Sequence, residues 1–255
     1  MSNALLHTEN LSVRYGGNLA LDSVSIDVHE GELVGLIGPN GAGKTTFIDG
    51  LTAFAKSTGS AWLDGVDITR WKPHQRVKAG LGRTWQSAEL YDELTVLENL
   101  QVAGYKPSWT TFVKEIVTGS SVSMAAVDSA VELLGIEHIL NKHPEDLSQG
   151  QRKSVDVARA LTAGSRVLCL DEPAAGLDTE ESQELGGRLR RVVKDGTSLL
   201  LVDHDMGLVL GFCDRIYVLD LGKLIAVGTP DEIRNSPQVV EAYLGEDGGD
   251  AQEEN

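Results

Sequence analysis

The sequence predicts an α/β fold: a mostly parallel sheet covered by helices on both faces, with a helical subdomain set into it. Three observations carry this prediction. "LVGLIG", "RVLCLDEP" and "TSLLLVDHD" are short, nearly continuous apolar runs, as expected of strands buried on both faces. They alternate with stretches of helical pattern, "KTTFIDGLTAF" and "ESQELGGRLRRVVKDG", the second ending at Gly196. Between about residues 74 and 150, strand signal fades after "GLGRTWQ", and "MAAVDSAVELLGI" places Val127, Val131 and Leu134 at helical spacing.

Each element follows from its residues. "LSVRYG" alternates Leu11, Val13 and Tyr15 with polar residues, the pattern of a half-buried strand, and "SVSIDVHEGE" repeats it with Val24, Ile26 and Val28 before turning at Glu30-Gly31. A glycine-rich loop follows "LVGLIG" and leads into a helix from Lys44. "GYKPSWTTFVKEIVTGSSVS" reads as a loop-plus-helix insertion. "LSQGQRKSVDVARAL" predicts a helix that Ser148 caps, with Val155, Ala158 and Leu161 along one side. "RIYVLDLGKLIAVG" predicts a hairpin turning at Asp220–Lys223. "TPDEI" then opens a helix, with Thr229 as cap, Pro230 in the first position and Glu232 closing a capping box. There is no internal repeat. The expected organisation is one domain over residues 1–245, with the helical subdomain at about 87–155 inserted in its core. The tail 246–255 is expected to be a solvated, disordered end, since "GEDGGDAQEEN" holds five acids and no base.

Composition narrows the function. The chain has 255 residues, 41% hydrophobic and 24% charged, in the ordinary range for a soluble globular protein. No apolar run approaches the roughly 20 residues that span a bilayer, and "MSNALLHTEN" lacks the basic region and apolar core of a secretory signal. A cytoplasmic location is expected. The net charge of −16 repels duplex DNA and anionic lipid on average, so any bound anion must be attracted locally. Cys169 and Cys213 have no metal-type spacing and are expected as free thiols filling core space.

The local attraction is easy to find. "GPNGAGKT", Gly38 to Thr45, fits G-x-x-x-x-G-K-[ST] between a strand and a helix. Gly38, Gly41 and Gly43 let the backbone curl so that its N–H groups face a phosphate chain, in a loop that Pro39, Asn40 and Ala42 complete. Lys44 adds a mobile charge for the terminal phosphates, and Thr45, followed by Thr46, offers a hydroxyl to Mg²⁺. "RVLCLDEP" ends a strand with Asp171 and Glu172, on the sheet edge where parallel sheets bind ligands. Asp171 suits the Mg²⁺ shell, and Glu172 suits a group that orients the attacking water or accepts its proton. In "LVDHDM", His204 ends another buried strand on that edge, suiting a phosphate contact. Asp203, His204 and Asp205 together make a poor metal site, because neighbours on an extended chain point to opposite sides. Gln86, at the end of "GRTWQ", says almost nothing by itself. The start of the "LSQGQ" helix offers a second anion site: free N–H groups, a positive dipole end, and Gly150 where the helix is weakened but the backbone can be approached closely.

"GPNGAGKTT", "LSQGQ", "LCLDEP", "AAGLD" and "LVDHD", in this order, resemble the nucleotide-binding subunit of an ABC transporter over nearly the whole chain to about Gly245. The resemblance implies a P-loop NTPase (RecA-like) core with a mostly parallel sheet, an N-terminal antiparallel β part and an inserted α-helical subdomain. It implies an active ATPase that uses ATP and Mg²⁺, with Glu172, His204, Lys44 and Gln86 as catalytic positions. Thr45, Gln86 and Asp171 would sit at the metal. Tyr15 matches the aromatic that stacks on adenine, and Asp178 matches a loop that communicates across a dimer. Two subunits, the same chain or a paralogue, would pair head to tail, with Ser148, Gly150 and Gln151 of one facing the nucleotide of the other. A second anion site on each chain would then belong to the partner's ATP. Two membrane permeases, and through them a solute-binding protein, would complete the assembly at the cytoplasmic face of the cell membrane, with no nucleic acid.

A narrower likeness lies in "GLGRTWQSAELYDELTVLENLQVA", "DEPAAGLD" and the stretch from "VDHDMGLVLG" to "VVEAYLGE", which resemble one ATPase of the branched-chain amino acid importers. Trp85 stands where that group has phenylalanine, and Ser154 makes its helix more polar. The resemblance leaves the solute open, since relatives in this group carry other small polar solutes such as urea or amides. An ATPase serving a lipid exporter is a second reading, against which the wording of residues 85–105 argues. A soluble ABC protein acting on DNA or ribosomes is a third, against which the single acidic cassette argues.

Overall fold

The computed structural model describes residues 4–86, 89–104 and 124–247. The chain begins with β1 (Leu6–Tyr15), β2 (Asn18–Val24) and β3 (Asp27–Val28), then enters β4 (Leu33–Ile37) and α1 (Lys44–Leu51). After α1 come β5 (Ser57–Leu63), β6 (Val66–Asp67), α2 (Pro73–Lys78) and β7 (Leu81–Arg83). Helices α3 (Val96–Gly104), α4 (Met124–Leu134) and α5 (Gln149–Thr162) follow, and β8 (Val167–Asp171) returns to the sheet. The C-terminal third is α6 (Thr179–Lys194), β9 (Ser198–Val202), α7 (Met206–Phe212), β10 (Arg215–Asp220), β11 (Lys223–Gly228), α8 (Pro230–Arg234) and α9 (Pro237–Asp247).

Strands that alternate polar and apolar residues build an antiparallel sheet, ordered β2-β1-β5-β6 with β3 on β1. The continuous apolar runs build the other sheet, ordered β11-β10-β4-β9-β8-β7, parallel except for β11. Every residue of β4, β8 and β9 is buried, because this sheet is covered twice. Val34, Leu36, Cys169, Leu200 and Val202 face one core with Phe47, Ile48 and the antiparallel sheet. Leu33, Ile37, Leu168, Leu170, Leu199 and Leu201 face a second core that runs on into Leu100, Val127, Val131, Leu134, Val155 and Ala158 of α3, α4 and α5. Truncating one of these leucines to alanine costs about 2–5 kcal/mol. Asp171 pairs in register with Val202, and Val202 with Leu36, so three strands end in one row. That row carries the site.

The local structure departs from the sequence pattern in four places. Tyr15 does not follow Leu11 and Val13 inward; it is 51% exposed, because β1 has irregular register between Leu11 and Arg14. "SVSIDVH" is broken into two strands rather than one, with Thr8 Oγ1 accepting the Ile26 N–H at 2.8 Å between them, although Val24, Ile26 and Val28 are all buried. Leu161 is only partly buried on α5. Strand β5, which the pattern does not predict, bends at Gly59: φ is +88°, and a Cβ there would lie 2.3 Å from the Asn10 carbonyl oxygen. Both cysteines are free and buried. The predicted insertion at 104–123 falls, from residue 105 on, outside the described residues, as does the tail beyond 247. Among the described residues, no helix is long and apolar enough to cross a membrane.

Candidate active site

The loop between β4 and α1 is held open by its glycines. Gly38, Gly41 and Gly43 have φ of +150°, +77° and +100°. A Cβ on Gly38 would lie 2.1 Å from the Leu219 carbonyl oxygen, so no other residue fits there. No side chain caps α1, and its first N–H groups open into a cleft of about 180 Å³ lined by residues 40–46, Ala20 and Glu172. Lys44 is buried, and its Nζ donates to the carbonyls of Gly38 at 2.6 Å and Pro39 at 2.9 Å, so its charge sits across the loop. Tyr15 stands at the end of β1 and does not line this cleft; Ala20, on the next strand, does.

Asp171 ends β8 beside the loop. Thr45 Oγ1 donates to its Oδ1 at 3.3 Å, and Arg83 Nη2 to its Oδ2 at 3.0 Å. Burial pushes the Asp171 carboxyl up, against the opposing pull of Arg83 and Thr45. Arg83 also donates to Asp49 at 2.5 Å, and its guanidinium lies 4.0 Å from the centre of the Trp85 ring. Glu172 has φ of +49°, a conformation uncommon for a residue with a side chain. Gln86 Nε2 donates to Glu172 Oε2 at 2.7 Å, and His204 Nδ1 lies 3.9 Å from the same oxygen. The structure therefore brings Thr45 to Asp171, and Gln86 and His204 to Glu172.

Asp203 is fully buried. Its Oδ1 accepts the N–H groups of His204 at 2.8 Å and Asp205 at 3.0 Å, and its Oδ2 accepts that of Ala174 at 2.9 Å. Burial pushes this carboxyl up as well. It ties the segment after Glu172 to the segment that presents His204, which is 60% exposed. Sequence reasoning names Asp203 only to set it aside as a metal ligand, although the alternation that separates it from His204 already points it inward.

Ser148 and Gln151 close a capping box: Ser148 Oγ accepts the Gln151 N–H at 3.3 Å, and Gln151 Oε1 accepts the Ser148 N–H at 3.1 Å. Ser148, Gly150 and Gln151 line a second cleft of about 260 Å³, together with Glu181 and Arg188. The two clefts share no lining residue. Gln149 Nε2 donates to the Ala175 carbonyl at 2.9 Å, and Asp178 caps α6 with Glu181 as its box partner. Lys153, which the sequence does not single out, is buried with its Nζ donating to the carbonyls of Gln86 at 2.5 Å and Glu172 at 3.1 Å.

Residues 21–175 match the family model described as ABC transporter, and residues 223–249 match one described as branched-chain amino acid ATP-binding cassette transporter. The chain belongs to the ABC transporter family. Within that family it is similar to the high-affinity branched-chain amino acid transport ATP-binding protein LivG of Salmonella typhimurium, at 40% identity over 96% of this chain and all of that one. The corresponding protein BraF of Pseudomonas aeruginosa is 36% identical over the same shares. Among solved structures, a nucleotide-free ATP-binding cassette from an ABC transporter superposes with a TM-score of 0.81, at 33% identity over 94% of this chain and 98% of that one. The ADP conformation of an ABC transporter cassette gives 0.81 at 30% identity, over 96% and 100%. The P-loop NTPase fold of these cassettes is the fold of this chain, and ABC cassettes of this type bind nucleotide and hydrolyse ATP.

Proposed function

We propose that this chain is the ATP-hydrolysing subunit of an importer for branched-chain amino acids or related small polar solutes, held at the cytoplasmic face of the membrane by permease partners. The observation that carries this reading is the match of residues 223–249 to the branched-chain family model, joined to 40% identity along the whole chain with an importer ATPase. The catalytic core would serve any ABC transporter; the C-terminal match narrows the class.

In this reading the phosphates of ATP lie along the N–H groups of residues 40–46, and Lys44 exchanges two carbonyls for phosphate oxygens. The hydroxyl of Thr45, the carboxylate of Asp171 and the amide oxygen of Gln86 form an oxygen set of the kind Mg²⁺ takes. The first two already lie 3.3 Å apart, and Arg83 balances the buried Asp171 carboxylate. When bound, Mg²⁺ supplies charge neutralisation at the terminal phosphates. Glu172 orients a water and takes its proton, while Gln86 and His204 flank its carboxylate. His204 is exposed enough to reach the γ-phosphate, and Tyr15 supplies an aromatic face for adenine. Ser148, Gly150 and Gln151 face the nucleotide of a second cassette, with Asp178 near the same junction. The separation of the two clefts supports pairing, because each is lined by a different set of residues. Two permeases, and through them a solute-binding protein, complete the assembly.

The test is recovery of the Glu172→Gln chain from native membranes with ATP and Mg²⁺, reading its partners by mass spectrometry. Two permeases and a second, different ATPase support the importer reading. Exporter-type membrane proteins, or no membrane protein, refute import and leave the ATPase standing.

A further inference from the structure

Three side chains along α5 hold the backbone of the segment that carries Gln86. Lys153 Nζ donates to the Gln86 carbonyl at 2.5 Å, Asp156 accepts the backbone N–H of Trp85, and Arg159 Nη1 donates to the Glu89 carbonyl at 2.5 Å. Spacings of three residues keep the row on one side of the helix. Lys153 also reaches beyond this segment, donating to the carbonyl of Glu172 at 3.1 Å. Glu172 sits at φ +49°, a conformation strained for a residue with a side chain, which persists only where its surroundings fix it. Its N–H donates to the Val202 carbonyl at 2.8 Å, and its carbonyl also receives the Ala175 N–H at 3.2 Å. One ammonium thus bridges the peptide groups of two residues whose side chains meet at 2.7 Å.

We propose that Lys153 is a positioning residue for ATP hydrolysis: from the helix that Ser148 starts, it fixes the carbonyls of Gln86 and Glu172 so that their side chains keep their mutual geometry. A displacement of α5 at its start then moves both groups together, which links the partner-facing cleft to the chain's own phosphate site. This rests on reading Glu172 as the carboxylate that activates water. Lys153 is only 6% exposed and burial lowers its pKa, so its ammonium is held here at a desolvation cost. Removing it alone leaves the carbonyls of Gln86 and Glu172 short of a donor and costs some stability. Positioning is told apart from stabilisation by the size of the kcat loss and by its rescue with arginine.

The experiment compares Lys153→Met, Lys153→Arg and Glu172→Gln in the full-length chain, with the complexes copurified from native membranes. Lys153→Met is expected to lower kcat roughly 10- to 100-fold, the scale of a small misplacement of reacting groups. KM for ATP should hold and Tm should fall by only a few degrees, while amide hydrogen exchange of Trp85 and Gln86 should speed up. Lys153→Arg, which can still donate to both carbonyls, should recover most of kcat. If Lys153→Met does not accumulate, Lys153→Gln takes its place in the same comparison. Wild-type turnover in Lys153→Met, or joint loss of Tm and turnover that Lys153→Arg does not reverse, overturns the proposal. Glu172→Gln separates the two levels: if it still turns over, the reading of Glu172 fails, whereas if it is dead and Lys153→Met is unaffected, only the role of Lys153 fails.

Discussion

The starts of α1 and α5 both line clefts, yet they are built differently. Helix α1 follows Gly43 at φ +100°, has no side-chain cap, and carries a buried lysine as its first residue. Helix α5 follows Ser148, whose hydroxyl already satisfies one of its free N–H groups and whose own N–H is held by Gln151. Neither first turn contains an acid. The cleft at α1 joins the start of a helix without a side-chain cap to the Lys44 charge, whereas the cleft at α5 includes Glu181 and Glu184 beside Arg188. On the proposed reading, a free phosphate chain is held at the first alone. At the second, an anion has fewer donors and two acids nearby, so it binds there best when another surface already holds it. The contrast suits one complete site and one half-site.

The largest expected effect comes from stripping the complete site of its cation. Lys44→Ala should reduce ATP hydrolysis by at least about 100-fold, the cost of removing one strong donor to developing charge, measured as phosphate release. It should also weaken nucleotide binding, because in the proposed function the lysine serves the bound phosphates as well as the transition state. Glu172→Gln gives the complementary result: binding of ATP retained and hydrolysis stalled. Substantial turnover in both variants would mean that the cleft at α1 is not where the bond breaks, and the contrast with α5 would lose its meaning.

A more selective test uses Gly150. A Cβ there would meet Leu177 and Glu181 only at ordinary distances of 3.5 Å, so alanine fits. Alanine inside a helix is better than glycine by about 1 kcal/mol. Gly150→Ala should therefore raise stability, read as a higher midpoint in urea, while turnover falls roughly tenfold as the extra methyl keeps the partner's phosphate from the backbone. Binding of ATP by the isolated chain should not change. Full activity in a stabilised Gly150→Ala would show that nothing approaches this helix start closely.

The strand, glycine curl and helix at residues 33–51 were legible in the sequence because the geometry is local, set within less than twenty residues. The parallel sheet was legible because burial on both faces writes itself as unbroken apolar runs. The braces were not. Arg83 reaches Asp171 across 88 positions, Lys153 reaches Gln86 across 67, and Asp203 reaches Ala174 across 29, and no periodicity encodes such pairings. Tyr15 fits the alternation of "LSVRYG", and the irregular register of β1 turns it outward. Gln86 carried no signal in isolation and acquires one only beside Glu172.

The smallest expected effect, and the one that probes α5 most directly, lies in its cap. Ser148→Ala removes the acceptor of the Gln151 N–H and should cost about 1 kcal/mol of stability. Helix α1, with no side-chain cap to lose, has no equivalent substitution. Ser148→Asp is the informative partner: aspartate caps as well as serine, and its charge favours a helix start, so stability should return to the wild-type value in urea unfolding. If Ser148 only caps, turnover returns with it. If the cleft receives the partner's phosphate, the new carboxylate stands where that anion must lie, and hydrolysis stays low in a chain that is fully stable and still binds ATP at Lys44.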